Sequence, residues 1–211
     1  MGCDWQDIAM YVQEVHSKEG SRPNPGFYRL LGNQALHIIA VETGMICKAW
    51  DNQPGGLILD GNFCQLPSEC ILVTSVEWDG EALSFRQGDQ LDRENPGWRT
   101  QVGSRPSCYT KTGTQVLLDC AAVGNIEGKL VVRGISVFPV FSDDASDPNP
   151  LELLPARFQL LPAYYILANL PVKSANQSEV ERRNRYESMW KSELLALTDC
   201  IESRKWEKAG V

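Results

Sequence analysis

The stretch QLPSECILVTSVEWDGEAL, residues 65–83, decides how the middle of this chain folds. After Pro67 it runs through aliphatic and β-branched residues as far as Trp78, and the pair Asp79-Gly80 then interrupts it. Asp-Gly between two such runs is a preferred sequence for a two-residue β-hairpin turn, because that turn requires positive φ angles. The stretch therefore predicts a hairpin with one strand before Asp79 and one after Gly80.

Short β-type runs continue on both sides of this hairpin, from about residue 45 to residue 142. Turn-forming sequences such as NQPGG, ENPG, KTG and GNIEG separate them, and this spacing predicts antiparallel strands in a sheet or small sandwich. Two runs, TQVLLDCA and KLVVRGISV, have the length and separation of neighbours that pair with each other. We therefore expect one β module in the middle of the chain.

The N-terminal part of the chain has a helical pattern instead. Asp4 precedes apolar residues at helical spacing, which predicts a first helix. A second helix is expected from Phe27 to Val41 and should end at Gly44. Its apolar stripe is expected to comprise Leu30, Leu31, Gln34, Ala35, Ile38 and Ile39.

Helical patterns return after the acidic segment FSDDASDPNP. A helix is expected within LLPARFQLLPAYYILANLPV, where Pro162 must begin the helix or kink it because proline cannot donate an interior hydrogen bond. The longest helix is expected at about residues 173–206. Its apolar stripe at three- and four-residue steps is expected to pack in a core and comprises Tyr186, Met189, Trp190, Leu194, Leu197 and Ile201.

The order of elements is therefore helix, helix, sheet, helix, helix. It predicts an α+β fold, a four-helix cluster with an antiparallel β module inserted between the second and third helices. The first half of the helical layer is expected at residues 1–44 and the β module at residues 45–142. Residues 143–211 are expected to form the second half of the layer, with a C-terminal tail.

The 211-residue chain is acidic, with a formal net charge of −7 and a sequence pI of about 4.9. Nucleic-acid-binding proteins usually carry a basic surface, so the chain as a whole is not expected to grip DNA. Arg182, Arg183 and Arg185 form one basic cluster, for which a solvated helix face is the preferred interpretation. No apolar run reaches the length of a membrane span, and the N-terminus lacks the pattern of a signal peptide.

The sequence contains no recognisable catalytic or metal-binding motif. It has no G-x-S-x-G elbow, no phosphate-binding loop and no H-E-x-x-H segment. The seven cysteines are scattered and include no C-x-x-C pair, and the aspartates of FSDDASDPNP lack the central glycine of a calcium loop. We therefore expect no enzyme activity, no metal, no cofactor, and cysteines that are reduced and structural.

The order of these signals resembles the head–tail adaptor (connector) proteins of tailed bacteriophages. Such adaptors are similar in having a Leu-rich helix with an Asn-x-Ala step, here Asn33-Gln34-Ala35, followed by an LP…V…V…W/DG hairpin and further motifs. The acidic linker at residues 143–150 and the helix at Trp5 are not matched by that pattern. The resemblance covers about residues 27–200 and rests, in order, on FYRLLGNQALHIIA, CQLPSECILVTSVEWDGEAL, NPGWRTQVGSRPSCYTKTGTQVLLDCA, KLVVRGISVFPV, LPARFQLLPAYYILANLP and SEVERRNRYESMWKSELLAL.

The resemblance implies a structural protein of the virion. Adaptors of this kind form a homo-oligomeric ring, commonly of twelve copies, at the neck between head and tail. One side of the ring binds the portal protein and the other receives a tail or nozzle protein, and DNA passes through without specific binding. The family has no catalytic residues, and its members assemble in the host cytoplasm.

The C-terminal residues after Ile201 combine an aromatic anchor with positive charge, a composition common at interfaces. We expect this tail to bind the portal or a neighbouring subunit, with a frayed end as the alternative. The partner-binding residues are expected to be Arg204, Lys205, Trp206 and Lys208.

A second function is compatible with the same pattern. The chain would then be a phage tail or baseplate module that recognises a glycan or another tail protein through its β module. Trp78, Trp98 and Tyr109 would form an exposed aromatic platform in that case, although such residues more often pack in a core. A hydrolase of unusual type is a third alternative, which turnover of a substrate would reveal.

Overall fold

The computed structural model describes residues 3–17, 24–142, 144, 146–171 and 177–209, with residues 204–209 as backbone only. The chain divides into two compact units, which we call unit 1 (Met1–Met45 with Val137–Val211) and unit 2 (Ile46–Ser136). Among the described residues there are five helices and sheets that are mainly antiparallel. The predicted α+β class is therefore confirmed.

The helices differ greatly in length and in burial. Unit 2 contains the short α3, and unit 1 contains the other four. α4 is the most buried of these, since it is apolar on nearly all sides and contacts α1, α2 and α5. The bounds are α1 Trp5–Ser17, α2 Pro25–Thr43, α3 Gly88–Glu94, α4 Leu161–Asn169 and α5 Gln177–Ala209.

Local sequence sets both ends of α2. The side chain of Asn24 accepts a hydrogen bond from the backbone N–H of Gly26 at 2.9 Å, and Pro25 occupies the first turn, where a missing N–H costs nothing. Gly44 ends the helix as predicted, with a φ of 58° and its N–H donating to the carbonyl oxygen of Ala40 at 3.0 Å.

The expected apolar stripe of α2 is partly wrong. Leu31, Ala35 and Ile39 are buried as expected, but Leu30 is 54% exposed and Gln34 is exposed. The buried face of α2 lies on the side of the helix away from Leu30 and Gln34. It includes the apolar residue that follows each of the buried Ala35 and Ile39. The additional buried residues of that face are Leu36 and Ala40.

Prolines begin the helical segments after the linker. Pro155 precedes a single 3₁₀ turn at Ala156–Phe158, and Pro162 lies in the first turn of α4. Pro162 therefore begins this helix rather than kinking it, because an N–H in the first turn has no partner within the helix.

Unit 2 contains eleven strands. They form a four-stranded sheet in the order β1-β11-β4-β5, a five-stranded sheet in the order β2-β3-β9-β8-β6, and a short pair of β10 with β7. The bounds are β1 Cys47–Asp51, β2 Leu59–Asp60, β3 Phe63–Gln65, β4 Cys70–Trp78, β5 Glu81–Ala82, β6 Ser84–Phe85, β7 Val102–Gly103, β8 Cys108–Thr112, β9 Gln115–Leu118, β10 Ala121–Ala122 and β11 Leu130–Ser136.

The hairpin predicted from residues 65–83 is confirmed. Trp78 of β4 lies opposite Glu81 of β5, and the two residues between them have positive φ angles, 53° at Asp79 and 79° at Gly80. Trp78, the last residue of β4 before the turn, lies in the interior of unit 2 and is only 2% exposed. Side chains of both large sheets share this core, among them Val76, Tyr109, Val116, Leu118, Leu130 and Val132.

The expected pairing of TQVLLDCA with KLVVRGISV is wrong. β9, from the first run, pairs with β3 and β8, whereas β11, from the second, lies between β1 and β4. The turn at Gly113, with a φ of 57°, joins β8 to β9 as a hairpin and β3 occupies the other edge of β9. No edge of β9 is therefore left for β11.

The sequence led us to expect a wholly antiparallel β module, and that expectation is wrong. β6 pairs with β8 and β7 pairs with β10 in parallel, each over two residues. Parallel neighbours need a crossover connection, and α3 provides part of the one between β6 and β8. The sequence reading did not predict α3, because this seven-residue helix buries a single apolar side chain, Leu91.

Candidate functional site

The expected stripe of α5 faces the interior of unit 1, as predicted. Trp190 and Leu197 are buried, and the other four stripe residues are half-buried. The rings of Tyr165 in α4 and Trp190 pack edge to face with centroids 5.0 Å apart, and those of Tyr164 and Tyr186 lie 6.2 Å apart. This packing fixes which face of α5 remains outside.

A tyrosine cluster joins α1 to the same surface. Burial raises the pKa of Tyr11 to about 12, and a hydrogen bond with Tyr186 adds to the rise. Burial also raises the pKa of Tyr164, which lies near both Glu193 and Tyr186. The phenols stay protonated at neutral pH and act as hydrogen-bonding groups of a partly buried interface between helices.

The expected partner-binding residues lie at the very end of α5. The backbone of α5 is helical from Gln177 to Ala209, about 50 Å in all. The sequence led us to expect a tail after Ile201 that leaves the helix, whereas the backbone remains helical as far as Ala209. The side chains of Arg204, Lys205, Trp206 and Lys208 lie outside the described residues, so their contacts stay a prediction.

A second surface of unit 1 was missed in the sequence analysis. Along the outer face of α2, Phe27, Leu30 and Val41 are 36%, 54% and 39% exposed. Beside them a groove of about 520 Å³ is lined by residues of α2 and by Tyr165 of α4. Exposed apolar side chains grouped in this way are typical of protein contacts. The groove residues are Leu30, Asn33, Gln34, His37, Ile38 and Tyr165.

The aromatic platform of the alternative function is not present. Trp78 is 2% exposed, Trp98 is fully buried and Tyr109 is 7% exposed. The indole N–H of Trp98 donates to the carboxylate of Asp92 at 2.8 Å, and the guanidinium of Arg99 lies over the Trp98 ring. These rings stabilise the interior of unit 2 and cannot stack on a glycan.

The arginine cluster on α5 lies on a largely solvated helix face that also carries negative charges. Arg183 and Arg185 are exposed, whereas Arg182 is half-buried and burial lowers its pKa. Glutamates share the same stretch of helix, at positions 181 and 187. This arrangement lacks the concentrated positive charge that binds a phosphate backbone.

The acidic linker forms a local turn. The carboxylate of Asp144 accepts hydrogen bonds from the N–H of Ser146 at 2.9 Å and from its hydroxyl at 2.8 Å, and these bonds lower the pKa of Asp144. Asp143, one of the aspartates considered for calcium, lies outside the described residues. In the part of the chain that the structure describes, no three His, Cys, Asp or Glu side chains are grouped as metal ligands.

Comparison with known proteins identifies no relative of this chain. No family model matches the chain, and no curated protein sequence matches it. None of the helices in the described ranges combines the length and apolar character that a membrane span requires. The candidate functional surface that the structure describes is the outer face of α2 with its groove, and the sequence adds the C-terminal end of α5 as a second candidate.

Proposed function

We propose that this chain is a structural virion protein, the subunit of an adaptor ring that joins the portal of a phage head to the tail. The ring continues the DNA channel, and the subunit has no catalytic role. Its finer architecture is a four-helix cluster that carries an antiparallel β module between its second and third helices.

One observation carries this proposal. Unit 1 is built from both ends of the chain, whereas unit 2 is one continuous segment, residues 46–136, between them. The same order of helical and β segments underlies the resemblance to phage adaptors. A chain organised in this way can present two separate surfaces, and an adaptor needs one for the head and one for the tail.

The surface chemistry supports a role in assembly. The outer face of α2 exposes apolar side chains along several turns, and α5 ends in residues of mixed basic and aromatic character. The net charge of −7 suits a channel through which DNA slides, because an acidic wall does not bind phosphates. The partners we propose are the portal protein, a tail or nozzle protein, and further copies of this chain, with twelve copies in the ring.

The proposal places the protein in the neck of the virion, after assembly in the host cytoplasm. Its test is to mix purified chain with portal rings of the same phage and to image the particles by electron microscopy. We expect a ring of this chain stacked coaxially on one face of the portal. A mixture in which portal rings stay bare at micromolar chain would overturn the proposal.

A further inference from the structure

The four-stranded sheet of unit 2, all of whose residues the structure describes, has two incomplete edges. β1 pairs only with β11. β4 pairs with β5 only at Glu77 and Trp78, so residues 70–75 have a strand neighbour on one side alone. Strand edges of this kind expose backbone donors and acceptors that can pair with another chain.

The hydrogen bonds at the two ends of β1 show which of its groups point outward. Asn52 donates its N–H to the carbonyl oxygen of Leu130 at 3.1 Å, and Ser136 donates to Ile46 at 2.8 Å. Because hydrogen-bonded pairs alternate along an antiparallel ladder, every second residue of β1 directs its backbone away from β11. In that set the carbonyl oxygen of Asp51 already accepts a hydrogen bond from the N–H of Leu57 at 2.7 Å. Ala49, the central residue of the set, is exposed and marks the open part of the edge.

The edge of β4 is accessible over a similar length. Leu72 is 45% exposed and Thr74 is exposed. The pairing of β11 with β4 has two register irregularities, between Arg133 and Gly134 and between Ile135 and Ser136. At each of them β4 contains one residue that has no partner on β11. Such bulges bend a strand and increase its twist, and a sheet that continues around a closed ring has to curve.

The two edges also match in direction. β1 and β4 are both antiparallel to β11, so they run parallel to each other. A neighbouring copy displaced along the sheet would therefore bring its β1 beside this β4 in parallel register. Contacts between two different surfaces of one chain generate rings when the rotation between copies closes, whereas a contact of β1 with β1 would stop at two copies.

We propose that β1 of one copy adds in parallel to residues 70–75 of β4 in the next copy, so that the sheet continues from subunit to subunit. The occupant of each open edge is a second copy of this chain. This inference rests on the proposed ring, and it assigns the contact between ring subunits to unit 2.

The test uses the full chain with the substitution Ala49→Pro. Proline at this position removes an N–H that points away from β11, and proline is tolerated on edge strands. The matched control is Ala49→Thr, which keeps the N–H. We expect Ala49→Pro to melt near the wild-type temperature but to remain a single copy, by native mass spectrometry with and without portal, while Ala49→Thr forms rings.

A second variant blocks the edge of β4 instead of the edge of β1. It tests the contact between copies without introducing a proline. In Leu72→Lys/Thr74→Lys, two exposed residues of β4 carry the charges that natural edge strands use against pairing. This variant alone should be a single copy, and an equimolar mixture with Ala49→Pro should form one-to-one pairs that grow no further. Each variant blocks one edge, so a mixed pair has one usable contact and two blocked ends.

The outcomes separate the two proposals. If the wild-type chain forms a ring on the portal and both edge variants do so equally well, the strand contact is overturned and the adaptor function stands. Pairs of the Leu72→Lys/Thr74→Lys variant with itself would also overturn it, in favour of a β1–β1 contact. A wild-type chain that forms no ring and leaves portal bare overturns both.

Discussion

Gly134 lies in one of the tightest surroundings in unit 2. A Cβ atom there would lie 2.4 Å from the carbonyl oxygen of Leu72 and 3.1 Å from the ring of Trp50. The absence of a side chain lets Trp50 lie across β11, where its indole N–H donates to Glu69 at 2.8 Å. Lys48 binds the other carboxylate oxygen of Glu69 at 2.7 Å, and the two bonds lower the pKa of Glu69.

We expect Gly134→Ala to destabilise the protein by about 1–3 kcal/mol, because the nearest atom belongs to the backbone and cannot move without shifting β4. Gly97→Ala is the matched control, since no atom lies within 4 Å of the added Cβ and the φ of Gly97 is −95°. Urea unfolding of the two variants measures the difference. Equal midpoints would contradict the tight contact.

Burial of a thiol makes stability depend on pH. The side chain of Cys64 is fully buried, and burial raises its pKa from 9.0 to about 11. The folded protein therefore keeps this proton at pH values at which the unfolded chain has lost it. The stabilisation is complete below pH 9 and is lost as the pH rises toward 11.

The expected size of that loss is on the order of 2 kcal/mol. We expect the unfolding free energy of the wild-type chain to fall more steeply between pH 9 and pH 11 than that of Cys64→Ala. Comparing the slopes, rather than the absolute values, removes the cost of the cavity in the variant. Parallel slopes would show that this thiol titrates normally in the folded state.

At the scale of the element, α5 shows how one helix separates a packing face from a free face. Leu197 is fully buried, whereas Leu195, two residues earlier, is 64% exposed. Residues two apart point to different sides of a helix. The helix has weak apolar character overall, so its position depends on the buried stripe and on the tyrosine contacts with α4.

The pair Leu197→Asp and Leu195→Asp tests this division with one substitution at two sites. A buried, unpaired carboxylate costs several kcal/mol, comparable with the whole stability of a domain, so we expect Leu197→Asp to unfold unit 1. Leu195→Asp should change stability by about 0.5 kcal/mol or less. Circular dichroism melting curves that coincide for the two variants would contradict the assignment of the faces.

At the scale of the whole molecule, the chain ends and the chain centre form different units, 1–45 with 137–211 and 46–136. An assembly protein built in this way can use each unit for a different partner. Under the proposed function, we expect the contact between ring copies in unit 2 and the contact with the portal on unit 1. The two assignments predict different effects of removing the C-terminal residues.

Deletion of residues 204–211 should leave the melting profile unchanged, because Leu197 is the last fully buried residue among the α5 side chains that the structure describes, residues 177–203. We expect the truncated chain to keep its contact with other copies and to lose its affinity for portal rings. Co-sedimentation with portal measures the loss, with the wild-type chain as the control. If the truncated chain binds portal as the full chain does, these residues are only the end of a helix.

The sequence predicted features that depend on residues close together in the chain better than features that depend on contacts between distant elements. The stripe of α5 followed from periodicity, and the stripe of α2 was partly misplaced because apolar residues lie on both sides of that helix. The exposed face of α2 therefore escaped the sequence analysis. The burial of Trp98 could not be read from its neighbours, since its partners Leu91 and Cys108 belong to other elements.

The sequence by itself determined the features that depend on local conformation. Asp79-Gly80 determined the hairpin and Gly44 the end of α2, because each site requires a positive φ. Only the tertiary structure decided that β11 lies between β1 and β4, which come from distant parts of the chain. Strand partners are selected by which side chains can be buried together across a sheet, and no local preference of KLVVRGISV distinguishes those partners from β9.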